Sequence, residues 1–494
     1  MMNQKINSTP GTPPLFFMVV HRVSGSVAGG NQQPNISNNN KHCHLQGSPT
    51  HAAVIGLGQS GLAAAVFLSK QGLDVDVYDS SNKPVLRQQL AQQLPDVQLH
   101  CGSLAVEHWS NDSLLVVSPG VPLSHPDLAP LLATGVRPIG DVELFAQCVR
   151  SPVIAITGSN GKSTVTALVG EILQHAGRRA AVGGNIGVPV LELLDDDKND
   201  IYVLELSSFQ LETTWSLKPA IAVVLNIAAD HMDRYSGMDD YIATKLKVYK
   251  GSARILMNAD EPCLLQRQQR QNMQQSDKEQ IFFSSMKPEK GQDYGLSDIN
   301  GAVYLCRGDK SLIAADDIHI AGQHNQLNVL AAWALASSLG IADSLIKEAV
   351  TEFKGLPHRM ELLHRINGVD WINDSKGTNV GASVAALRGL QAPVILIAGG
   401  IAKDADFTPL REVVKRHVKA IILIGRDARK IQDAVSDIVS TSLAADMSDA
   451  VAQASVLAET GDVVILSPAC ASFDMYQNFE QRGDDFRRCV GRLV

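Results

Sequence analysis

The chain has 494 residues, 45% of them apolar and 19% charged, with a formal net charge of −8. This length suggests about three domains of a folded protein, and the composition is ordinary for a globular one. The negative balance argues against sequence-independent nucleic-acid binding, and no apolar run reaches the roughly 20 residues that span a bilayer. The seven cysteines are scattered and include no C-x-x-C pair. They read as reduced thiols of a cytoplasmic protein, not as a disulfide framework or a zinc site.

Residues 1–48 are rich in Asn, Gln, Ser, Gly and Pro and contain no Asp or Glu. Their one apolar patch, Leu15 to Val20, is too short for a membrane span, so the segment reads as a disordered extension outside the fold. Ala52 to Ile55 is then a short apolar strand that enters Gly56-Leu-Gly58-Gln-Ser-Gly61, with a helical pattern from Leu62 to Leu68 and a second strand, Val75 to Asp79. This is a dinucleotide-type fingerprint, with Asp79 where an acid meets a ribose hydroxyl. Alone it suggests NAD or FAD. Physically it requires only a nucleotide diphosphate on the helix N-terminus. Leu114 to Val117 is another buried strand, ending in the turn Ser118-Pro-Gly120.

The run Ile154-Ala-Ile-Thr157 leads into Gly158-Ser-Asn-Gly161, then Lys162, Ser163 and Thr164, and a helical run from Val165 to Leu173. Strand, glycine loop and helix in that order make a phosphate cradle. Backbone N–H groups converge on the anion, and the helix N-terminus adds partial positive charge. Lys162 can reach the terminal phosphates, and Ser163 or Thr164 can hold Mg²⁺. The longer Walker pattern wants a glycine where Ile156 stands, so this is the shorter G-x-x-G-K-S-T form.

Further on, Tyr202 to Glu205 and Ala220 to Asn226 have the continuous apolar runs of buried parallel strands. They lead into Glu205-Leu-Ser-Ser-Phe-Gln-Leu-Glu212 and Asp230-His-Met-Asp-Arg-Tyr235. Segment 258–320 shows no clear period. Asn325 to Leu339 is a packed helix by its apolar spacing. A third strand-and-helix unit begins near Leu356, with strands Val394 to Ala398, Ala420 to Ile424 and Val463 to Leu466. There is no repeat with a period of roughly 20 to 50 residues.

Eight short elements in this order resemble the Mur ligase family, over about residues 49–494. They are Thr157-Gly-Ser-Asn-Gly-Lys-Ser-Thr164, Gly184-Asn-Ile-Gly187, Glu205 to Glu212, Asp230 to Tyr235, Gly322-Gln-His-Asn325, Pro357-His-Arg359, Asn373-Asp-Ser-Lys376 and Leu466-Ser-Pro-Ala-Cys-Ala-Ser472. The Ser-Ser-Phe-Gln-Leu-Glu form, the Ser-Pro-Ala-Cys-Ala-Ser end and Asn478-Phe-Glu-Gln-Arg-Gly483 resemble its D-glutamate-adding branch. The Asp-Asn-Pro-Arg signature of the diaminopimelate- or lysine-adding branch is absent. Gly399-Gly-Ile-Ala-Lys403 departs from the residues usual in the family, with its lysine in frame.

The resemblance implies three α/β domains: a UDP-binding Rossmann-like domain (49–140), a central P-loop ATPase domain (141–355) and a C-terminal Rossmann-like domain (356–494). It implies ATP-dependent addition of D-glutamate to UDP-N-acetylmuramoyl-L-alanine through an acyl phosphate, in cytoplasmic peptidoglycan precursor synthesis. The enzyme is expected to be a monomer without nucleic-acid or membrane partners, using two Mg²⁺ sites and a carbamylated lysine.

By the same resemblance, catalysis rests on Lys162, Glu205, His231 and Lys245. ATP is held by Gly158, Ser159, Asn160, Gly161, Lys162, Ser163 and Thr164, by Asn325 and Asn328 on the adenine side, and by Arg359, Asp374 and Lys376. Gly56, Gly58 and Gly61 approach the diphosphate of the sugar nucleotide, Asp79 or Ser80 lies near its uridine, and Asn185 and His231 contact it further along. His358, Thr378, Lys403, Ser472, Phe473 and Phe479 form the D-glutamate side. Ser163 or Thr164 with Glu205 would hold the first Mg²⁺, and His231 with the carbamate of Lys245 the second. Lys247 and Lys250 are nearby alternatives to Lys245. The third domain is expected to close on the second around ATP.

Other classes compete. A different amide ligase of the folylpolyglutamate synthetase type leaves the first module unexplained. An NAD-dependent oxidoreductase fused to an NTPase would reduce nicotinamide. A non-catalytic nucleotide-binding protein would not need Lys162, Glu205, His231 and Lys245 together.

Overall fold

In the computed structural model, residues 43, 45–106, 109–110, 112–196, 198–272, 278–320, 322–390 and 392–494 are described. They form three α/β units, each around its own sheet. The first sheet has four parallel strands in the spatial order Gln98–Cys101, Asp74–Asp79, His51–Ile55, Ser113–Val117. The glycine pattern determines how its helix, Gln59–Lys70, starts. Gly56 has φ +89°, and a Cβ on Gly61 would lie 1.9 Å from the Gly56 carbonyl oxygen. Only bare glycines let the helix press onto its loop in this way. A Cβ on Gly58 would meet nothing within 4 Å, so the mouth of the loop is open. Asp79 closes the loop from below, accepting from Leu57 N–H (2.7 Å) and Ser81 N–H (2.8 Å).

The central sheet has nine strands. Ala180–Gly184, Ile201–Glu205, Val153–Thr157, Ile221–Val224, Arg254–Asn258 and Glu279–Phe283 run parallel in that spatial order. Tyr294–Ile299, Ala302–Arg307 and Lys310–Ala314 extend the sheet by an antiparallel meander. This meander explains why 258–320 is hard to read. Its strands are buried over only two or three residues each, Tyr294 to Leu296, Leu305 to Cys306 and Leu312 to Ile313, so neither a helical period nor a long continuous apolar run develops. Helix Lys162–His175 packs with helix Gln323–Ser337 on one face, burying Leu168, Ile172, Val329 and Trp333 in one core.

The third sheet has the order Glu361–Ile366, Val369–Asn373, Val463–Leu466, Val394–Gly399, Val418–Ile424, Ser440–Leu443, with only the first strand antiparallel. The loops that follow the carboxyl ends of its central strands meet those of the second sheet, which is where ligands of open α/β sheets bind.

Two readings of the amino-terminal region are corrected. Leu45 is buried in the same core as Phe145, so the fold begins before residue 48. Residues 1–42 and 44, the rest of the expected extension, lie outside the described residues. The cysteines are not all reduced: Cys43 and Cys148 form a disulfide with Cα atoms 5.3 Å apart, while Cys101, Cys263, Cys306, Cys470 and Cys489 are free. The pairing spans 105 positions, and nothing in the spacing announces it. It arises because the backbone before the first strand is held on the fold: Cys43 N–H donates to Gln71 (2.8 Å) and Gln46 N–H to Gln147 (3.0 Å).

Closing a loop of about 100 residues is worth roughly 4–5 kcal/mol in the chain-entropy view. Reduction should therefore lower the melting midpoint clearly, and C43S should melt like the reduced protein with or without reductant. Identical melting of oxidised and reduced protein would remove this contribution.

Candidate active site

The phosphate loop is held rigidly by the central unit. Gly158 (φ +151°) and Gly161 (φ +80°) supply the backbone that L side chains rarely adopt. Thr157 Oγ1 donates to Leu206 O (2.7 Å). Ser159 Oγ bonds Ala228 O and N–H, both at 2.9 Å, and Tyr241 OH at 3.0 Å. A Cβ on Gly161 would lie 2.4 Å from Asn328 Oδ1, so the helix carrying Asn325 and Asn328 sits directly on the loop. These two asparagines are one turn apart, as their spacing predicts, and Asn328 Nδ2 donates to Asn325 Oδ1 (3.0 Å).

Cations crowd this loop. Lys162 Nζ folds back to donate to Gly158 O and Ser159 O, each at 2.9 Å. Lys245 Nζ reaches the same Gly158 O at 2.9 Å and lies over the Tyr241 ring. Two ammonium groups on one carbonyl are mutually repulsive. Burial, reinforced by the Lys162 charge, pushes Lys245 well below the usual lysine range. Lys245 thus gives up its proton more readily than a free lysine, as a nucleophilic amine must. Burial also lowers Lys376, to about 8, while its ammonium sits 3.8 Å from the centre of the Phe479 ring.

Glu205 ends its strand fully buried. Burial alone raises a carboxyl, but Lys162, the Asn185 hydrogen bond, the nearby Ser163 hydroxyl and Arg359 together bring Glu205 below its ordinary value, so it is a carboxylate. Its Oε1 accepts from Asn185 (2.8 Å), and its buried Oε2 has no hydrogen bond. A charged oxygen without a donor, close to the Ser163 hydroxyl, suits a hard cation. Among the described residues no cluster of three His, Cys, Asp or Glu could hold a metal alone. An ion here would complete its shell with phosphate and water, as Mg²⁺ does.

His231 is held at φ +58°, its ring edge-on to Phe209 and its Nε2 3.6 Å from Asp230. Burial lowers its pKa and outweighs the opposing pull of Asp230, leaving a neutral imidazole.

The third unit meets this loop across the cleft. Arg359 Nη2 donates to Ser163 Oγ at 2.6 Å, so a residue of the third unit touches the phosphate loop directly. Asp374 accepts from Ser467 Oγ (2.8 Å) and Met360 N–H (3.3 Å), and burial raises it to about 6. A carboxyl raised on folding binds its proton more tightly in the native state. Its stabilising contribution is complete below about pH 4 and is lost as pH rises through about 6. D374N should remove that slope from denaturation midpoints measured between pH 4 and 7. An unchanged slope would place the titration elsewhere.

Two cavities adjoin at the phosphate loop. The first, of about 450 Å³, is lined by Asn160, Gly161, Thr164, Asn325, Asn328, Arg359, Asp374 and Lys376 among others. The second, of about 410 Å³, gathers Ser159, Lys162, Asn185, Glu205, His231, Thr378, Lys403, Ser472, Phe473 and Phe479, with Arg359 and Lys376 shared. Gly158, Ser163 and Lys245 line neither cavity but touch residues at or beside them.

His358 does not join the site. It is buried behind it, against Asn373 (3.1 Å), 3.7 Å from Asp484 and edge-on to Phe479. Gly56, Gly58, Gly61, Asp79 and Ser80 belong to the first sheet, away from both cavities.

Sequence reasoning missed several lining residues. Asp230 and Asn379 face the second cavity, and His324, half-buried and lowered to about 4 by desolvation, lines the first. Asp230 and His324 lie inside quoted motifs, and their polarity beside a strand end or helix start was the available signal. Asn226 links strand to loop, accepting from Asn160 N–H (2.8 Å) and donating to Asn160 O (3.0 Å).

Three family descriptions match consecutive stretches: Mur ligase MurD-like, N-terminal domain, over 50–140; Mur ligase middle domain over 156–336; and Mur ligase, glutamate ligase domain, over 358–470. UDP-N-acetylmuramoylalanine--D-glutamate ligases of Nitrosococcus oceani and Pseudomonas putida are each 44% identical to the chain, covering 90% and 89% of it and 97% of their own lengths. Solved structures share the fold at lower identity. A pseudomurein peptide ligase type C from Methanothermus fervidus superposes with TM-score 0.57 at 17% identity, covering 90% of this chain and all of its own. MurF ligase from Thermotoga maritima in complex with ADP gives 0.57 at 16%, covering 90% of this chain and 96% of its own. Near end-to-end identity at this level, with all three domain descriptions in order, means that the chain belongs to the Mur ligase family, on its MurD-like branch.

Proposed function

We propose that this chain joins D-glutamate to the L-alanine carboxylate of UDP-N-acetylmuramoyl-L-alanine, converting ATP to ADP and phosphate. The observation that carries this reading is the adjacency of the two cavities across one phosphate loop. A nucleotide in the first would present its γ-phosphate to a carboxylate in the second. A carboxylate is a poor electrophile. Its oxygen attacks the γ-phosphorus, the bond to ADP breaks, and an acyl phosphate forms. The D-glutamate amine then attacks the acyl carbon, and phosphate leaves as the amide forms with loss of the amine proton.

Both steps bring anions together, so the chain's cations do most of the work. Lys162 and Arg359 neutralise the transferring phosphoryl group. Lys403, Thr378 and Ser472 suit the two carboxylates of D-glutamate, with Phe473 and Phe479 as walls. Asn185 and His231 face the acceptor, while Gly56, Gly58, Gly61 and Asp79 or Ser80 serve the uridine diphosphate. Asn325 and Asn328 suit the adenine side, and Asp374 and Lys376 the rest of the nucleotide. His358 would act only through its neighbours.

Glu205 with Ser163 or Thr164 would hold one Mg²⁺, and His231 with a carbamate on Lys245 a second. The bound ions neutralise phosphate charge. The buried amine of Lys245, whose proton is held weakly, suits addition of CO₂, which supports the carbamate. We place the reaction in the cytoplasm, carried out by a monomer divided near residues 140 and 355.

The test is phosphate release from ATP with UDP-N-acetylmuramoyl-L-alanine, comparing D-glutamate with L-glutamate, L-lysine and meso-diaminopimelate. Release with D-glutamate alone, with a matching mass gain on the nucleotide, supports the proposal. Release with another amino acid would overturn the acceptor assignment and leave the family intact.

A further inference from the structure

We infer that Asn379 is a positioning residue that latches the amino-acid wall of the cleft onto the phosphate loop, so that each side strengthens ligand binding on the other. This builds on the proposed function for the identity of the amino acid. Asn379 is buried at the start of helix Val380–Arg388, next to Thr378. Its amide uses all its polar positions. Oδ1 accepts from Ala382 N–H (2.8 Å), capping the helix, and from Asn160 Nδ2 (3.5 Å). Nδ2 donates to Asn160 Oδ1 (3.2 Å) and to Asp230 Oδ2 (3.3 Å). The cap and the Asp230 carboxylate together dictate which end of the amide is oxygen.

The partners are not incidental surface groups. Asn160 is the tip of the phosphate loop, and its own backbone is fixed by Asn226, so its side chain is free to bridge the cleft. Asp230 adjoins His231 and lies 3.8 Å from Lys403, the cation proposed for D-glutamate. One amide thus joins the nucleotide loop, the acceptor wall and the amino-acid wall. A second contact points the same way: a Cβ on Gly381 would lie 2.8 Å from Ala228 Cβ, across the same junction. The helix can approach this closely only without a side chain there.

Two variants test the latch from opposite causes. N379S keeps a helix-capping oxygen but cannot reach Asn160 or Asp230. G381A preserves the helix, which alanine favours, but wedges the junction apart. Each should melt close to the wild type. Each should weaken binding of a non-hydrolysable ATP analogue and raise KM for D-glutamate together, by about tenfold or more, the scale of a hydrogen bond to a charged group. In the double variant N160A/N379S the losses should not add, because both remove one bridge. Unchanged nucleotide affinity in both N379S and G381A would overturn the latch, as would fully additive losses. Should the wild type prove not to use D-glutamate, calorimetry with the ATP analogue still decides the latch by itself.

Discussion

Lys162→Met is expected to abolish phosphate release for practical purposes, lowering kcat by about a thousandfold or more, the scale of losing a preorganised transition-state donor. Lys162 is half-buried near Glu205 and is the largest influence holding that carboxyl down. Methionine keeps most of the volume and removes the charge. The phosphoryl group then crosses to its acceptor with Arg359 and the bound Mg²⁺ left to offset its charge, without the lysine donor. Nucleotide binding should weaken much less, because the backbone N–H cradle and the pocket around Asn325 and Asn328 remain. Single-turnover assays beside equilibrium binding of an ATP analogue separate the two. Turnover within tenfold of the wild type would show that another cation does this work.

The second large effect has opposite signs for activity and stability. The folded pKa of Lys245 lies well below its unfolded value near 10.4. Its stabilising contribution is therefore complete only above about pH 10 and is lost as pH falls through the folded value. Between the two values the unfolded chain holds a proton that the fold sheds. Lys245→Met should accordingly match or exceed the wild type in stability at neutral pH in CO₂-free buffer, by up to a few kcal/mol. It should also flatten the rise of stability with pH. Activity should fall about a hundredfold or more. With ¹³C-labelled bicarbonate the wild type should give one carbamate resonance that the variant lacks. A variant that is both less stable and still active would show Lys245 to be a structural buried amine only.

How much was legible beforehand differs from residue to residue. The phosphate loop could be read because its chemistry is local. A strand, two glycines at positive φ, a lysine and hydroxyls are contiguous, and backbone geometry over seven residues suffices to make an anion cradle. The buried strands were legible for a related reason. Parallel strands covered on both faces need unbroken apolar runs, as in Val153–Thr157 and Val463–Leu466. The meander from Tyr294 to Ala314 has no such requirement and left no such signal.

His358 shows the limit of transferring a motif by adjacency. Its neighbour Arg359 points into the cleft, while His358, at φ +64°, turns back onto Asn373. One residue along an irregular loop reverses which side faces the ligand.

The sequence by itself therefore determined the three α/β units, the phosphate cradle and the motifs that mark the family, because each depends on interactions within a short window. Tertiary structure alone decided the rest. It put Lys245 on the same carbonyl as Lys162, joined Cys43 to Cys148, and brought Asn379 onto Asn160 and Asp230. Those pairs are separated by tens to hundreds of residues. Their energies come from burial and charge at close range, and only the packing of whole domains sets those distances.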